Sequence, residues 1–502
     1  MKWLAFSFAA GAAGAFGFEP VGIWPVTVLA VAALMFLVAR APTLRGALAR
    51  GWWFGVGHFL LGLNWIATAF TFQAAMPAWL GWVAVVLLSL YLAVYPAAAA
   101  GLAWRYGRAR PLVFGLVFAA AWIVTEWLRG TVFTGFPWNP LGVALIDTPV
   151  AQAATLVGTY GLAALLVLVA GALLALAQHR WRTAGLLALA PLLAGIWGLL
   201  PRDEGPAGPL VRIVQPNISQ AEKWRPDFVA QNYARLIATS GPPQDEPRLL
   251  LWPEVAIPDL LESGYPPLAY DEPPEQVRAR LAALLGPRDI LLTGAHALDF
   301  APDGRLAGVR NSVFAMDSAG RLLGRYDKAH LTPYGEYLPM RPLLSAIGVS
   351  RLAPGDYDTT PGPGPRSLRL PGFGLVGVQT CYEIVFPGQV VDREHRPAIL
   401  FNPSNDAWFG TWGPPQHLAQ ARLRALEEGL PILRSTPTGI SAVIDAEGRL
   451  LQQLGWRKRG FIDARVPPAR PPTPFARFGN WLSFAFALLL AGAAIAVGRK
   501  AR

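Results

Sequence analysis

Residues 373–383 read FGLVGVQTCYE, an apolar run of one strand's length that ends in the chain's single cysteine, Cys381. Similar runs lie on either side: VRIVQPNI (211–218), RLLLWPE (248–254), DILLTGAHAL (289–298) and AILFNPSNDAWF (398–409). Residues 311–328 predict a hairpin turning at Ser318-Ala319-Gly320, and residues 439–454 a second turning at Ala446-Glu447-Gly448. Helical patterns at 274–286 and 415–429 fall between the strands. Strands interleaved with helices indicate an α/β layered fold.

Before Pro201 the chain has a different character. It is 53% hydrophobic and 15% charged overall, with a mean hydropathy of +0.36, and the excess apolar content sits in residues 1–200. Runs near 3–18, 21–39, 52–72, 77–104, 111–128, 160–177 and 183–200 suit membrane spans, and an eighth runs from 480 to 497. They are too long and too uniformly apolar for helices of a soluble core. The first is no cleavable signal peptide, because a second run follows at once. Disorder is excluded by 19 Trp, 25 Phe and 12 Tyr, and one cysteine excludes an intramolecular disulfide framework.

Charge gives an independent reading of topology. Lys2, then Arg40, Arg45 and Arg50, then Arg105, Arg108 and Arg110, then Arg180 and Arg182, and finally Arg499, Lys500 and Arg502 occupy alternate connections. The intervening ones carry almost no positive charge, which places both termini in the cytoplasm. Seven spans before residue 201 then put residues 201–476 outside. The expected organisation is a membrane domain (1–200), an extracytoplasmic catalytic domain (201–476) and an eighth span with a short tail (477–502). The formal charge of +11 is thereby assigned largely to inner loops, leaving little for nucleic-acid binding. Phe136, Trp138 and Tyr160 in the long outer connection suit an interfacial belt, and Glu126 with Arg129 reads as an anchoring pair at the water boundary.

Three polar residues close three apolar strands: Glu254 after LLLWP, Lys328 after LLGRYD and Cys381 after FGLVGVQT. A nucleophilic cysteine needs a base for its proton and a cation for the thiolate and the developing oxyanion. Glutamate, lysine and cysteine supply these without histidine. Taken singly each has a plainer reading, because lone cysteines are commonly buried and inert and charged strand ends are commonly solvated.

The blocks QPNISQAEKW, LLLWPEVAIP, GRYDKAHLTPYGEYLP, VQTCYEIVFP and NPSNDAWFG occur in this order. They resemble the signature blocks of the nitrilase (carbon–nitrogen hydrolase) superfamily. With spans on both sides, the whole chain is similar to the apolipoprotein N-acyltransferase family. The resemblance implies an α-β-β-α sandwich with Cys381 as nucleophile, Glu254 as general base and Lys328 as oxyanion stabiliser. It assigns Glu336 to positioning, and Trp224, Tyr382 and Glu383 to supporting roles. It further implies acyl transfer from a membrane phospholipid to a diacylated apolipoprotein at a bacterial inner membrane, with no cofactor and by a monomer; the six histidines show no metal-ligand spacing, so no metal is expected.

Two other readings stay open on the sequence: a membrane-tethered amidase acting on small amides, and a scaffold or transporter with a degenerate outer domain. The stretch PMRPLLSAIGVSRL (339–352) suits an apolar lid or, equally, a buried helix; Val255, Ile257 and Leu260 are candidates to line the same opening. Gly372, Gly374 and Gly377 spell G-x-G-x-x-G but lead into a strand, whereas a dinucleotide loop opens a helix.

Overall fold

The computed structural model describes residues 1–502 apart from 74–75, 202–204, 224, 347, 353–356 and 501–502. Its α/β part consists of two six-stranded sheets. The strands are β1 (Leu210–Gln215), β2 (Arg248–Leu251), β3 (Ile290–Phe300), β4 (Leu306–Asp317), β5 (Leu322–Asp327) and β6 (Ser367–Leu370). They continue with β7 (Gly374–Val378), β8 (Ile399–Pro403), β9 (Ile432–Ser435), β10 (Ser441–Ile444), β11 (Leu450–Leu454) and β12 (Gly460–Arg465). One sheet has the order β12-β1-β2-β3-β4-β5, the other β11-β10-β9-β8-β7-β6. Both expected hairpins form, with Gly320 and Gly448 at positive φ in their turns.

Strand alternation builds the layers. Leu249 and Leu251 face inward with Ile213, Leu292, Val376, Phe401 and Leu433, forming the apolar filling between the sheets. Leu250, Leu291 and Phe314 face outward against the helices Pro226–Ser240 and Pro274–Ala282. Ile257 belongs to that outer cluster and is fully buried, so it lines no opening, contrary to the expectation. On the other flank Leu400, Ile432 and Ile444 pack under the helix Gly413–Glu428.

That last helix lies between the second sheet and the apolar N-terminal region. The N-terminal helices are α1 (Lys2–Gly14), α2 (Trp24–Ala39), α3 (Leu44–Gly62), α4 (Ile66–Ala69), α5 (Leu80–Leu92), α6 (Val94–Gly107), α7 (Pro111–Arg129), α8 (Ala154–Ala177) and α9 (Trp181–Gly198). The remaining helices are α10 (Pro226–Ser240), α11 (Pro274–Ala282), α12 (Arg341–Ala346), α13 (Gly413–Glu428), α14 (Pro474–Phe478) and α15 (Trp481–Lys500). Among the described residues four stretches are long and apolar enough to cross a membrane: Leu80–Gly107, Pro111–Arg129, Pro149–Ala177 and Trp481–Arg499. A fifth is the pair Leu44–Gly62 and Ile66–Phe72, bent by 48°. The expected run 52–72 is therefore broken, and the run expected from 160 begins at Ala154 with a kink at Gly158.

Polar contacts fasten α13 to this region. Trp138 Nε1 donates to Gln416 Oε1 (2.8 Å), Gln416 Nε2 donates to the Gly62 carbonyl (3.3 Å), and Glu427 Oε1 accepts from Thr159 N (2.6 Å) and Oγ1 (2.7 Å). Trp138 and Tyr160 are buried, so they form no interfacial belt. Glu126 and Arg129 are buried too, not set at a water boundary. Arg129 donates to the carbonyls of Phe136 (2.9 Å) and Trp138 (2.8 Å), and Glu126 accepts from Leu141 N (2.8 Å). The pair fixes the path of the outer connection. Hydropathy registers that such residues avoid water, not whether lipid or protein covers them.

Candidate active site

Strand direction gathers the three expected residues. β1, β2 and β3 are parallel, and the antiparallel pairings β3–β4 and β4–β5 turn β5 back to run with β2. Glu254 and Lys328 therefore follow carboxyl ends at the same edge of one sheet. Cys381 follows β7 of the facing sheet and opens a short 3₁₀ turn, Cys381–Val385.

All three are buried: Glu254 and Cys381 are 6% exposed and Lys328 2%. Lys328 Nζ donates to Glu254 Oε1 (3.3 Å) and pairs with Glu336 Oε2 (2.9 Å). Burial alone would depress the Lys328 pKa, but Glu254 and Glu336 hold it well above the usual lysine range. For Glu336 burial acts upward, yet the Lys328 cation and its hydrogen-bond donors keep the carboxyl below its ordinary value. The Cys381 thiol is pushed well up by burial and by Glu254, with Lys328 pulling the other way. The resting sulfur thus carries its proton, and its reaction requires a base at the moment of attack.

Glu383 joins the two strand ends across the sheets. Its carboxylate accepts from the N–H groups of Thr380 (2.7 Å), Ala329 (2.7 Å) and His330 (3.0 Å), and from the Tyr326 hydroxyl at 2.8 and 2.9 Å. The turn bearing Cys381 is thereby tied to the turn after Lys328. Tyr382 donates its hydroxyl to the Gly135 carbonyl (3.3 Å), which brings the connection after α7 against the site. Trp224 lies outside the described residues.

The sequence reading missed Asn311 and Lys223. Asn311 Nδ2 donates to Glu254 Oε1 (2.8 Å) and Glu336 Oε1 (3.0 Å), so one amide spaces both carboxylates. Its signal was a polar residue opening a run that otherwise enters the core. Lys223, next to Trp224 in QAEKW, is buried and donates to the Glu254 carbonyl (3.0 Å). Burial lowers its pKa to about 8, with Glu254 and Cys381 opposing that shift. Together with Ile218, Tyr233, Leu236, Glu254 and Pro258, Lys223 lines a small pocket.

Met340 and Leu343 are 66% and 61% exposed, and no described residue of α12 is buried, so this segment is no core helix. Among the described residues no cluster of three His, Cys, Asp or Glu side chains has the form of a metal site.

The model of the apolipoprotein N-acyltransferase N-terminal domain matches residues 10–172, and that of carbon-nitrogen hydrolase matches residues 210–470. An apolipoprotein N-acyltransferase of Caulobacter vibrioides is 39% identical over 509 residues, covering 97% of this chain and 93% of the relative. Another, from Rhodopseudomonas palustris, is 36% identical over 499 residues, covering 94% and 90%.

Proposed function

The chain belongs to the apolipoprotein N-acyltransferase family, and we propose that it performs that family's transfer through the sulfur of Cys381. The reaction moves a fatty acyl chain from a membrane phospholipid to the amino group of an N-terminal diacylglyceryl-cysteine on an apolipoprotein. In the first half Glu254 takes the thiol proton as sulfur attacks the ester carbonyl, and the Lys328 ammonium neutralises the oxyanion. The tetrahedral intermediate collapses, Glu254 returns the proton to the departing oxygen, and the lysophospholipid leaves behind a thioester. In the second half the neutral amine attacks, Glu254 accepts its proton, and the restored thiolate is reprotonated. Glu336 and Asn311 keep Lys328 and Glu254 in register, while Glu383 and Tyr382 hold the turn that presents the sulfur.

One observation carries this reading. A protonated, buried thiol lies within electrostatic reach of a Glu254–Lys328–Glu336 cluster whose ion pairs and Asn311 bridge fix the base and the cation. The cluster is complete within one chain, so the reading requires no second copy.

The same reading sets the chain in a bacterial inner membrane with eight spans, cytoplasmic termini and a periplasmic catalytic domain. Alternate basic connections support it. So do apolar side chains that face outward on helices not counted above, such as Trp3 and Phe6 on α1 and Leu189, Leu192, Leu193 and Ile196 on α9. Met340 and Leu343 act as an apolar lid that reaches the leaflet and screens the thioester from water.

Pre-steady-state mixing of the detergent-solubilised enzyme with phospholipid tests the two-step scheme. Without acceptor, a burst of one lysophospholipid per enzyme is expected, followed by slow turnover. Continuous release with no burst would contradict a stable thioester.

A further inference from the structure

Cys381 has φ +52, a left-handed backbone conformation unusual for a side chain-bearing residue. Strain of this kind persists only where surrounding structure enforces it. The enforcing contacts come from groups that the mechanism above does not use. His417 Nε2 donates to the Cys381 carbonyl (3.0 Å). A carbonyl only accepts, so Nε2 carries the proton. Nδ1 lies 2.9 Å from Asp406 Oδ1 and 3.0 Å from Arg434 Nη2. Arg434 Nη2 also bonds both Asp406 oxygens (2.7 and 2.8 Å). Through Nη1 it reaches Asn402, whose Nδ2 donates to the Gln379 carbonyl (2.6 Å). Two carbonyls of the nucleophile's turn therefore hang from one buried arginine.

His417, Asp406 and Arg434 are fully buried. They come from three elements: α13, the turn after β8, and β9. The Trp138 ring packs on His417 at 5.3 Å, and a Cβ on Gly439 would fall 2.3 Å from the Asp406 carboxylate. The cluster has no room to shift. Burying this many polar and charged groups is costly, and their contacts terminate on the turn that carries the sulfur.

We infer that His417, braced by Asp406 and Arg434, is a positioning residue for acyl transfer: by holding the Cys381 carbonyl it sets the Cys381–Tyr382 peptide as an oxyanion donor. In a trans peptide the C=O and the following N–H point in opposite directions. Drawing the carbonyl toward α13 aims the Tyr382 N–H away from α13, where it complements Lys328. The arrangement matters at the tetrahedral stage and little for the thiol's intrinsic reactivity.

This inference rests on Cys381 being the nucleophile. Two rates separate it from a general structural role: alkylation of Cys381 by iodoacetamide, which forms no oxyanion, and lysophospholipid release in the burst. In His417→Ala and His417→Asn the burst rate falls about 100-fold, the loss typical of one oxyanion-hole donor, while alkylation stays within about threefold of wild type. In His417→Gln the longer amide reaches the carbonyl, and the burst recovers to within about tenfold. Because an alanine here can unfold the chain, the Gln and Asn variants carry the decision. Equal behaviour of those two, whether both active or both lost, overturns the inference, as does a proportional fall of both rates. A wild-type enzyme without a burst would instead count against the thioester itself.

Discussion

Lys223 brings a second buried cation to a site whose expected inventory held only Lys328. Its pKa of about 8 means the charge fades as the pH rises through that value, and with it a field that favours the Cys381 thiolate. The phospholipid half-reaction, which involves no free amine, should therefore decline above about pH 8 in the wild type. Lys223→Arg keeps its charge and should move that limb upward. Lys223→Met should lack the limb and run about tenfold slower, the equivalent of about 1.4 kcal/mol of charge stabilisation. Burst rates measured across the pH range check all three. Asn311→Ala leaves both carboxylates without their shared spacer, and a turnover loss of about 100-fold is expected with iodoacetamide alkylation still measurable. These residues show where sequence reading ended. Glu254, Lys328 and Cys381 stand at strand ends and announce themselves, whereas Asn311, Lys223 and His417 act through contacts that only the folded chain creates.

At the scale of elements, the site depends on joining two sheets that face each other. Glu383 provides that joint through three backbone N–H groups and one phenol, all donors. A glutamine turns an NH₂ toward some of those donors, so Glu383→Gln should destabilise the domain by about 1–3 kcal/mol and remove the burst together. Thermal unfolding alongside burst amplitude measures both. In α12 the expected effect is opposite in kind: Leu343→Asp should impair phospholipid use without changing stability or Cys381 alkylation. Strand positions were readable because burial on both faces leaves short continuous apolar runs bounded by turns, and both hairpins turned where glycine was expected. Helix ends were less readable. The kink in α8 comes from Gly158 at φ +67, where an added Cβ would lie 2.1 Å from the Phe475 ring, a tertiary constraint without local signature.

At the scale of the molecule, α13 is shared property, closing the sandwich on one side and docking the apolar helices on the other. Trp138 is the centre of that junction, fully buried against Trp65 (4.5 Å), Phe409 (5.5 Å) and the His417 ring (5.3 Å). Trp138→Ala should cost about 3–5 kcal/mol and slow acyl transfer, because the same ring braces the His417 cluster. The sequence placed Trp138 at a lipid boundary because its apolar surroundings looked alike from either side. On the proposed thioester mechanism such fusion is useful, because contacts along α13 hold the α/β part against the apolar helices.

The claim on which all of this depends is that the acyl chain passes through one sulfur. Intact-mass and peptide-mapping mass spectrometry of the enzyme purified from membranes examines it directly. A fatty-acyl adduct on the peptide containing Cys381, removed by hydroxylamine and absent from Cys381→Ala, is the predicted result. Transferase activity retained in Cys381→Ala, or an adduct confined to another residue, would contradict it.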